Sequence, residues 1–181
     1  SNINAFGPLR ILEAIRFYSK KTKFYQASTS EMFGGYKSEK FQNENSHFKP
    51  RSPYAISKLY SHWTTVMYRE AYGLFCCSGI LFNHESPIRG QEFVTKKIID
   101  GLCNLKYANG GVLEVGNIYA KRDWGFAGDY VEAMWKMMQQ KKPDDYVIAT
   151  GKTITIKAFI NKASKKIGFK LKWVGKGIHE K

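Results

Sequence analysis

The chain has 181 residues, 43% of them hydrophobic and 15% aromatic, which is enough to bury a sizeable core and too apolar for a disordered or low-complexity segment. Its formal charge of +14, from 29 Lys and Arg against 15 Asp and Glu, favours anionic partners, yet much of the excess is scattered lysine at predicted helix ends and turns, as in YSKKTK, QQKKPDD and NKASKKIG. No stretch approaches about 18 consecutive apolar residues, and the first residues lack a basic-then-apolar secretory pattern; a cytoplasmic protein with no membrane span is the expectation.

In chain order, residues 4–18 place Leu9, Leu12, Ile15 and Arg16 at helical spacing, with Ile11 and Phe17 widening the apolar side. Residues 23–29, KFYQAST, are short, apolar and aromatic-rich between KKT and GG, which predicts a buried strand. Residues 36–51 are polar, with Pro50 and Pro53 nearby, and read as a surface loop. A helix follows over residues 53–72, with Ser52 as N-cap, Pro53 at the first position and Gly73 as the stop. Residues 74–83 predict a strand, 93–108 a helix, 110–116 (GGVLEVG) a strand, 129–140 a helix, 145–150 a strand and 156–167 a helix.

Strands alternating with helices of this length make βαβ units, hence a doubly wound, mostly parallel α/β sheet with helices on both faces. Such a sheet normally opens with a strand and a glycine-rich turn that holds a dinucleotide's pyrophosphate, but this chain opens in a helix and contains no GxGxxG. Either the fold is of another kind or the N-terminal strands are missing. Cys76, Cys77 and Cys103 form no CxxC pair and read as small buried apolar residues, with no metal site expected.

Tyr54 and Lys58, four positions apart on a predicted helix, share one face. An ammonium near a phenol favours the phenolate and lowers its pKa from about 10, so the tyrosine becomes a usable base. A lone YxxxK is also compatible with a surface helix and a lysine lying along it. Thr29, Ser30 and Glu31 fall where the preceding strand ends, and open α/β sheets bind ligands at the carboxyl ends of their strands. There a hydroxyl can bind a substrate oxygen and a carboxylate can take a proton. The same STSE run is equally a helix-capping sequence.

The runs FYQASTSEMFG, PRSPYAISKLYSHW, LFNHESPIRG, FVTKKI and KRDWGFAGDYVEAMW together resemble the GDP-mannose 4,6-dehydratases of the extended short-chain dehydrogenase/reductase superfamily, nearly from end to end of the chain. The resemblance implies a Rossmann-like sheet lacking its N-terminal strands plus part of a smaller substrate-binding region. A single fragment over residues 1–181 is expected, with the remaining core of the sheet and the catalytic residues in 1–90, and a mixed substrate-binding portion with the last core elements in 91–181. It implies NADP as cofactor, with Tyr54 and Lys58 as catalytic tyrosine and lysine, Thr29 beside the sugar's 4-hydroxyl and Glu31 as the base of the elimination. Lys58, His84 and Arg89 match cofactor-contacting positions; Ser30, Asn83, Lys97 and Arg122 match substrate-binding ones. On residue chemistry alone, His84 is equally a satisfied buried histidine and Arg122 with Asp123 a surface ion pair.

The implied activity converts GDP-mannose to GDP-4-keto-6-deoxymannose, a step toward GDP-fucose, by internal hydride transfer and loss of water. Pro8 stands where the family leads one to expect Thr. The resemblance also implies a homodimer or homotetramer, for which Leu9, Leu12, Trp63 and Met67 are candidate surface residues, or else internal core. Rival readings are another nucleotide-sugar dehydratase or epimerase of the superfamily, a catalytically silent fragment, and a basic nucleic-acid-binding module; diffuse charge argues against the last, and no nucleic acid is expected as partner.

Overall fold

The computed structural model describes residues 2–35, 41–108, 112–168, 170–175 and 177. The chain forms two compact units, one comprising Ser1–His84 with Gly125–Gly151, the other Glu85–Trp124 with Lys152–Lys181.

In the first unit, a π-helical turn, Asn2–Phe6, leads into α1 (Gly7–Tyr18), with Pro8 in the first turn where its missing N–H costs nothing. Only one stripe of α1 is buried, through Leu12 and Ile15; Ile11 and Phe17 are exposed and do not widen the packed side as the spacing predicts. Strand β1 (Phe24–Thr29) pairs in parallel with β2 (Cys76–Leu81), and β2 with β5 (Asp145–Ile148), in the order β1-β2-β5. Helix α2 (Pro53–Tyr72) connects β1 to β2, and α4 (Ala127–Met138) precedes β5.

Alternation along the strands assigns the two faces. Phe24 and Cys76 pack with Leu12, Ile15, Tyr68 and Leu74 under α1 and α2. Ser28 and Ser78 face α2, whereas Cys77 Sγ lies 3.6 Å from the Met137 carbonyl of α4. Adjacent cysteines on opposite faces, both buried, match the apolar reading, and burial pushes the Cys76 thiol up to about 11. Of the four residues weighed for subunit contact, Leu12 is core and Leu9 packs against it, while Trp63 and Met67 are exposed on α2. The strand expected over residues 74–83 is shorter, ending at Leu81, and a separate strand β3 (Asn83–Glu85) follows.

The second unit packs α3 (Val94–Tyr107) and α5 (Ile156–Ile167) through Ile98, Leu102, Ile156, Ile160 and Ala163, with Ile118. The strand expected at 110–116 does not form over the described residues 112–116; Leu113 and Val115 pack against this core without ladder partners. Two strands had no sequence forecast. β4 (Lys121–Phe126) pairs antiparallel with β6 (Thr153–Thr155), yet KRDWGF shows no apolar alternation and TIT is too short to register.

Candidate active site

Thr29 ends β1 and caps the short 3-10 helix Ser30–Phe33: its backbone is extended, and its Oγ1 accepts the Glu31 N–H at 3.3 Å. Gly34 closes that turn at φ 63°, a left-handed conformation, and a Cβ there would lie 1.7 Å from the Lys49 carbonyl oxygen. Glycine is thus required twice over, by the backbone angle and by the close approach. The capping reading of STSE is correct as geometry, and the same turn sets the exposed Glu31 carboxylate at the carboxyl end of β1. Ser30 is half-buried in that turn.

Helix α2 begins as expected, with the Ser52 Oγ accepting the Ala55 N–H at 3.1 Å, and stops at Gly73, φ 63°. Its first turns bring the exposed Tyr54 phenol near enough to Thr29 and Glu31 for both to act on it. Lys58 Nζ lies 5.8 Å from the Tyr54 ring centroid and donates to the Ala27 carbonyl of β1 at 3.0 Å. Ser52 Oγ also donates to Glu31 Oε2 at 3.4 Å. Four residues picked out in sequence, Thr29, Glu31, Tyr54 and Lys58, therefore meet at one strand end.

The electrostatics differ from the sequence expectation. The Tyr54 pKa is raised, first by partial burial and then by the Glu31 charge, with the Thr29 hydroxyl working the other way. The expected lowering by Lys58 does not appear; its ammonium donates to the Ala27 carbonyl, and burial lowers its own pKa.

A buried polar seam fixes α2 on the sheet. Gln26 Nε2 donates to Ser61 Oγ at 3.2 Å, and Ser61 Oγ donates to the Lys58 carbonyl at 2.9 Å. His62 Nδ1 lies 2.8 Å from Ser78 Oγ and 3.3 Å from Ser28 Oγ, and the two serines hydrogen-bond each other at 2.9 Å. Burial lowers the His62 pKa, so it sits neutral; its Nε2 is 4.0 Å from Asp145, which is held by a two-pronged Arg69 pair at 3.0 Å. Sequence reasoning missed this seam, although Tyr54, Lys58 and His62 recur at four-residue spacing on one helix face.

His84 is half-buried in the first unit, its Nδ1 2.9 Å from the Phe82 carbonyl and its ring stacked on Tyr130 at 4.7 Å; Asn83 precedes it, half-buried. Arg89, Lys97 and Arg122 belong to the second unit. There Arg89 lies over the Phe93 ring at 3.4 Å and faces Glu85, whose Oε2 also accepts from Thr95 at 2.6 Å. Lys97 is exposed on α3, and the exposed Arg122 donates to the Lys121 carbonyl at 2.8 Å beside a buried Asp123. Among the described residues no group of His, Cys, Asp and Glu suits a metal ion, and no helix is long and apolar enough to cross a membrane.

Comparison with known proteins matches this chain to the family model described as GDP-mannose 4,6 dehydratase over residues 1–181. It is 51% identical to a GDP-mannose 4,6-dehydratase of Vibrio cholerae, covering 100% of this chain and 49% of that protein. A GDP-mannose 4,6 dehydratase of Drosophila melanogaster is 50% identical over 99% of this chain and 46% of its own length. The chain thus spans about half the length of the curated relatives it matches. Among solved structures, dTDP-glucose 4,6-dehydratase of Bacillus anthracis in complex with NAD superposes with TM-score 0.83 at 22% identity, over 91% of this chain and 52% of that one. RMD of Pseudomonas aeruginosa complexed with NADPH superposes with TM-score 0.81 at 24% identity, over 88% and 56%. At these identities the likeness is one of fold, a Rossmann-like α/β sheet with helices on both faces.

Proposed function

The chain belongs to the GDP-mannose 4,6-dehydratase family, and from that premise we propose that it forms the catalytic part of an NADP-dependent hydro-lyase converting GDP-mannose to GDP-4-keto-6-deoxymannose. The observation that carries the proposal is the Glu31 carboxylate set beside the Thr29 hydroxyl at the carboxyl end of β1, where its charge acts on the Tyr54 phenol. A redox pair of tyrosine and lysine alone serves oxidation at one carbon. A carboxylate beside it adds a base for a neighbouring carbon, which an elimination needs.

The residues present suit the nicotinamide end of a dinucleotide. Lys58 lines a groove of about 500 Å³ along β1, and its ammonium beside a phenol fits ribose hydroxyls. No glycine-rich phosphate loop occurs in the chain. Arg89 and His84 are proposed as further cofactor contacts, and Ser30, Asn83, Lys97 and Arg122 as contacts to the nucleotide sugar. When bound, the nicotinamide would supply reversible hydride acceptance, storing the hydride from sugar carbon 4 for return at carbon 6.

The side chains do the rest. Tyr54 takes the proton of the 4-hydroxyl, and Thr29 holds that oxygen in place. The 4-ketone acidifies the hydrogen on carbon 5, which Glu31 removes; those electrons form the carbon 5–carbon 6 double bond as the 6-hydroxyl leaves. Two protons are taken, from the 4-hydroxyl and carbon 5, and two are delivered, to the departing hydroxyl and back to carbon 5. Atoms therefore balance, with water the sole by-product. A cytoplasmic homodimer or homotetramer, with Trp63 and Met67 at a subunit surface, completes the reading.

The test is Glu31→Gln in the full-length protein carrying this sequence. Cofactor binding and oxidation at carbon 4 are expected to persist while dehydration of GDP-mannose stops; dehydration at the unaltered rate would overturn the reading. Parallel assays with dTDP-glucose separate it from a related dehydratase.

A further inference from the structure

We propose that Ser52 is a positioning residue of the elimination step, its single hydroxyl holding both the Glu31 carboxylate and the start of the helix that carries Tyr54 and Lys58. The proposal rests on the reading of Glu31 as the base. A serine hydroxyl has one proton and two lone pairs. At Ser52 one lone pair accepts the Ala55 N–H at 3.1 Å, and the proton is donated to Glu31 Oε2 at 3.4 Å. Oε2 is thereby tethered, which orients the carboxylate.

This meeting is not a chance contact of two surface side chains, because the backbone around it is tied. The Lys49 N–H donates to the Met32 carbonyl at 2.8 Å, and the Lys49 carbonyl fills the space that a Cβ on Gly34 would need. The turn bearing Glu31 and the segment leading to Ser52 are therefore held together independently of their side chains. Ser52 itself is half-buried in extended backbone, φ −140° and ψ 156°, as an N-cap requires. Within this tied frame the hydroxyl selects one orientation for an otherwise exposed carboxylate. A misplacement of about 1 Å in a catalytic group costs on the order of a hundredfold in rate.

Capping and positioning make different demands, and substitutions can separate them. Ser, Asn and Asp cap helices about equally and Gly loses only a few tenths of a kcal/mol, but of the replacements only Asn and Thr can also donate to a carboxylate. In the full-length protein, Ser52→Asn and Ser52→Thr are expected to eliminate water within a few-fold of the unaltered rate. Ser52→Asp and Ser52→Gly should slow elimination about ten- to a hundredfold. In those two, oxidation at carbon 4 should remain fast, so a single turnover accumulates the near-ultraviolet absorbance of reduced nicotinamide, and exchange of the carbon 5 hydrogen with deuterated solvent slows. A merely structural cap predicts the same behaviour for Asn and Asp. Unchanged elimination in Ser52→Asp or Ser52→Gly, or equal losses in Ser52→Asn and Ser52→Asp, would overturn the proposal. If Glu31→Gln stops dehydration while Ser52→Gly does not, only the role of Ser52 falls; if Glu31→Gln dehydrates normally, the base assignment falls first.

Discussion

The two units hold their expected functional residues in opposite ways. In the first, Thr29, Glu31, Tyr54 and Lys58 are brought together from a strand end and a helix start, because α2 is bolted to β1 by Lys58 on the Ala27 carbonyl, Ser61 on Gln26 and His62 on Ser28. In the second, Arg89 engages Glu85 and Phe93, Arg122 engages the neighbouring carbonyl, and Lys97 is exposed. Groups that move protons must be placed to a fraction of an ångström before substrate arrives. Groups that hold a phosphate need only charge and reach, so local tethers suffice until a ligand gathers them.

The strongest way to break this contrast is at Tyr54. With Tyr54→Phe in the full-length protein, dehydration is expected to fall about a hundred- to ten-thousandfold in kcat, the usual worth of a positioned proton acceptor, with the KM for GDP-mannose little changed. Loss in KM alone would place Tyr54 with the ligand-holding residues instead. Because burial and the Glu31 charge raise its pKa, the phenol is protonated at neutral pH in this chain, and the phenolate has to be favoured within the loaded site.

The same contrast explains what the sequence could show. Residues 53–72 were legible end to end because periodicity, the Ser52 cap, Pro53 and Gly73 agree, and the helix runs Pro53–Tyr72. YxxxK and TSE were legible as local patterns. Their meeting was not, since it depends on the parallel register of β1 with β2 and on seam residues such as His62 that look ordinary in a polar helix. In the second unit, VLEV carries a strand-like composition but found no partner strand, whereas the charged KRD of KRDWGF carries none and pairs with β6. Strand pairing is a long-range outcome, and local composition is weak evidence for it.

The seam itself predicts an intermediate effect. His62→Phe keeps an aromatic ring among Phe48 and Trp63 but removes the nitrogen that pairs with Ser28 and Ser78, which should cost about 1–3 kcal/mol in denaturant unfolding. His62 adds a pH signature. Its folded pKa lies below the ordinary 6.5, so the unfolded state binds more protons in between; its contribution is complete above about 6.5 and is lost as pH falls through the folded value. The fall in stability below about pH 6.5 should therefore be shallower in His62→Phe. Asp145 and Arg69 act on the ring in opposite directions and remain in the variant, so an unaltered acid limb would assign it to them.

The smallest effects are expected where tethers are local. Lys97→Ala or Arg122→Ala should weaken binding of GDP-mannose by about 1–2 kcal/mol, roughly tenfold in KM, and leave kcat within a few-fold, because a charge that grips the nucleotide equally in ground and transition states does not change the chemical step. Both side chains are exposed, so the penalty should shrink as added salt screens the unaltered protein's advantage. The loss from Tyr54→Phe, which removes a neutral hydroxyl and no charge, should barely respond to salt. If Lys97→Ala instead lowered kcat as strongly as KM and ignored salt, the second unit would supply a group to the chemical step, and the division between placing protons and holding charge would fail at that residue.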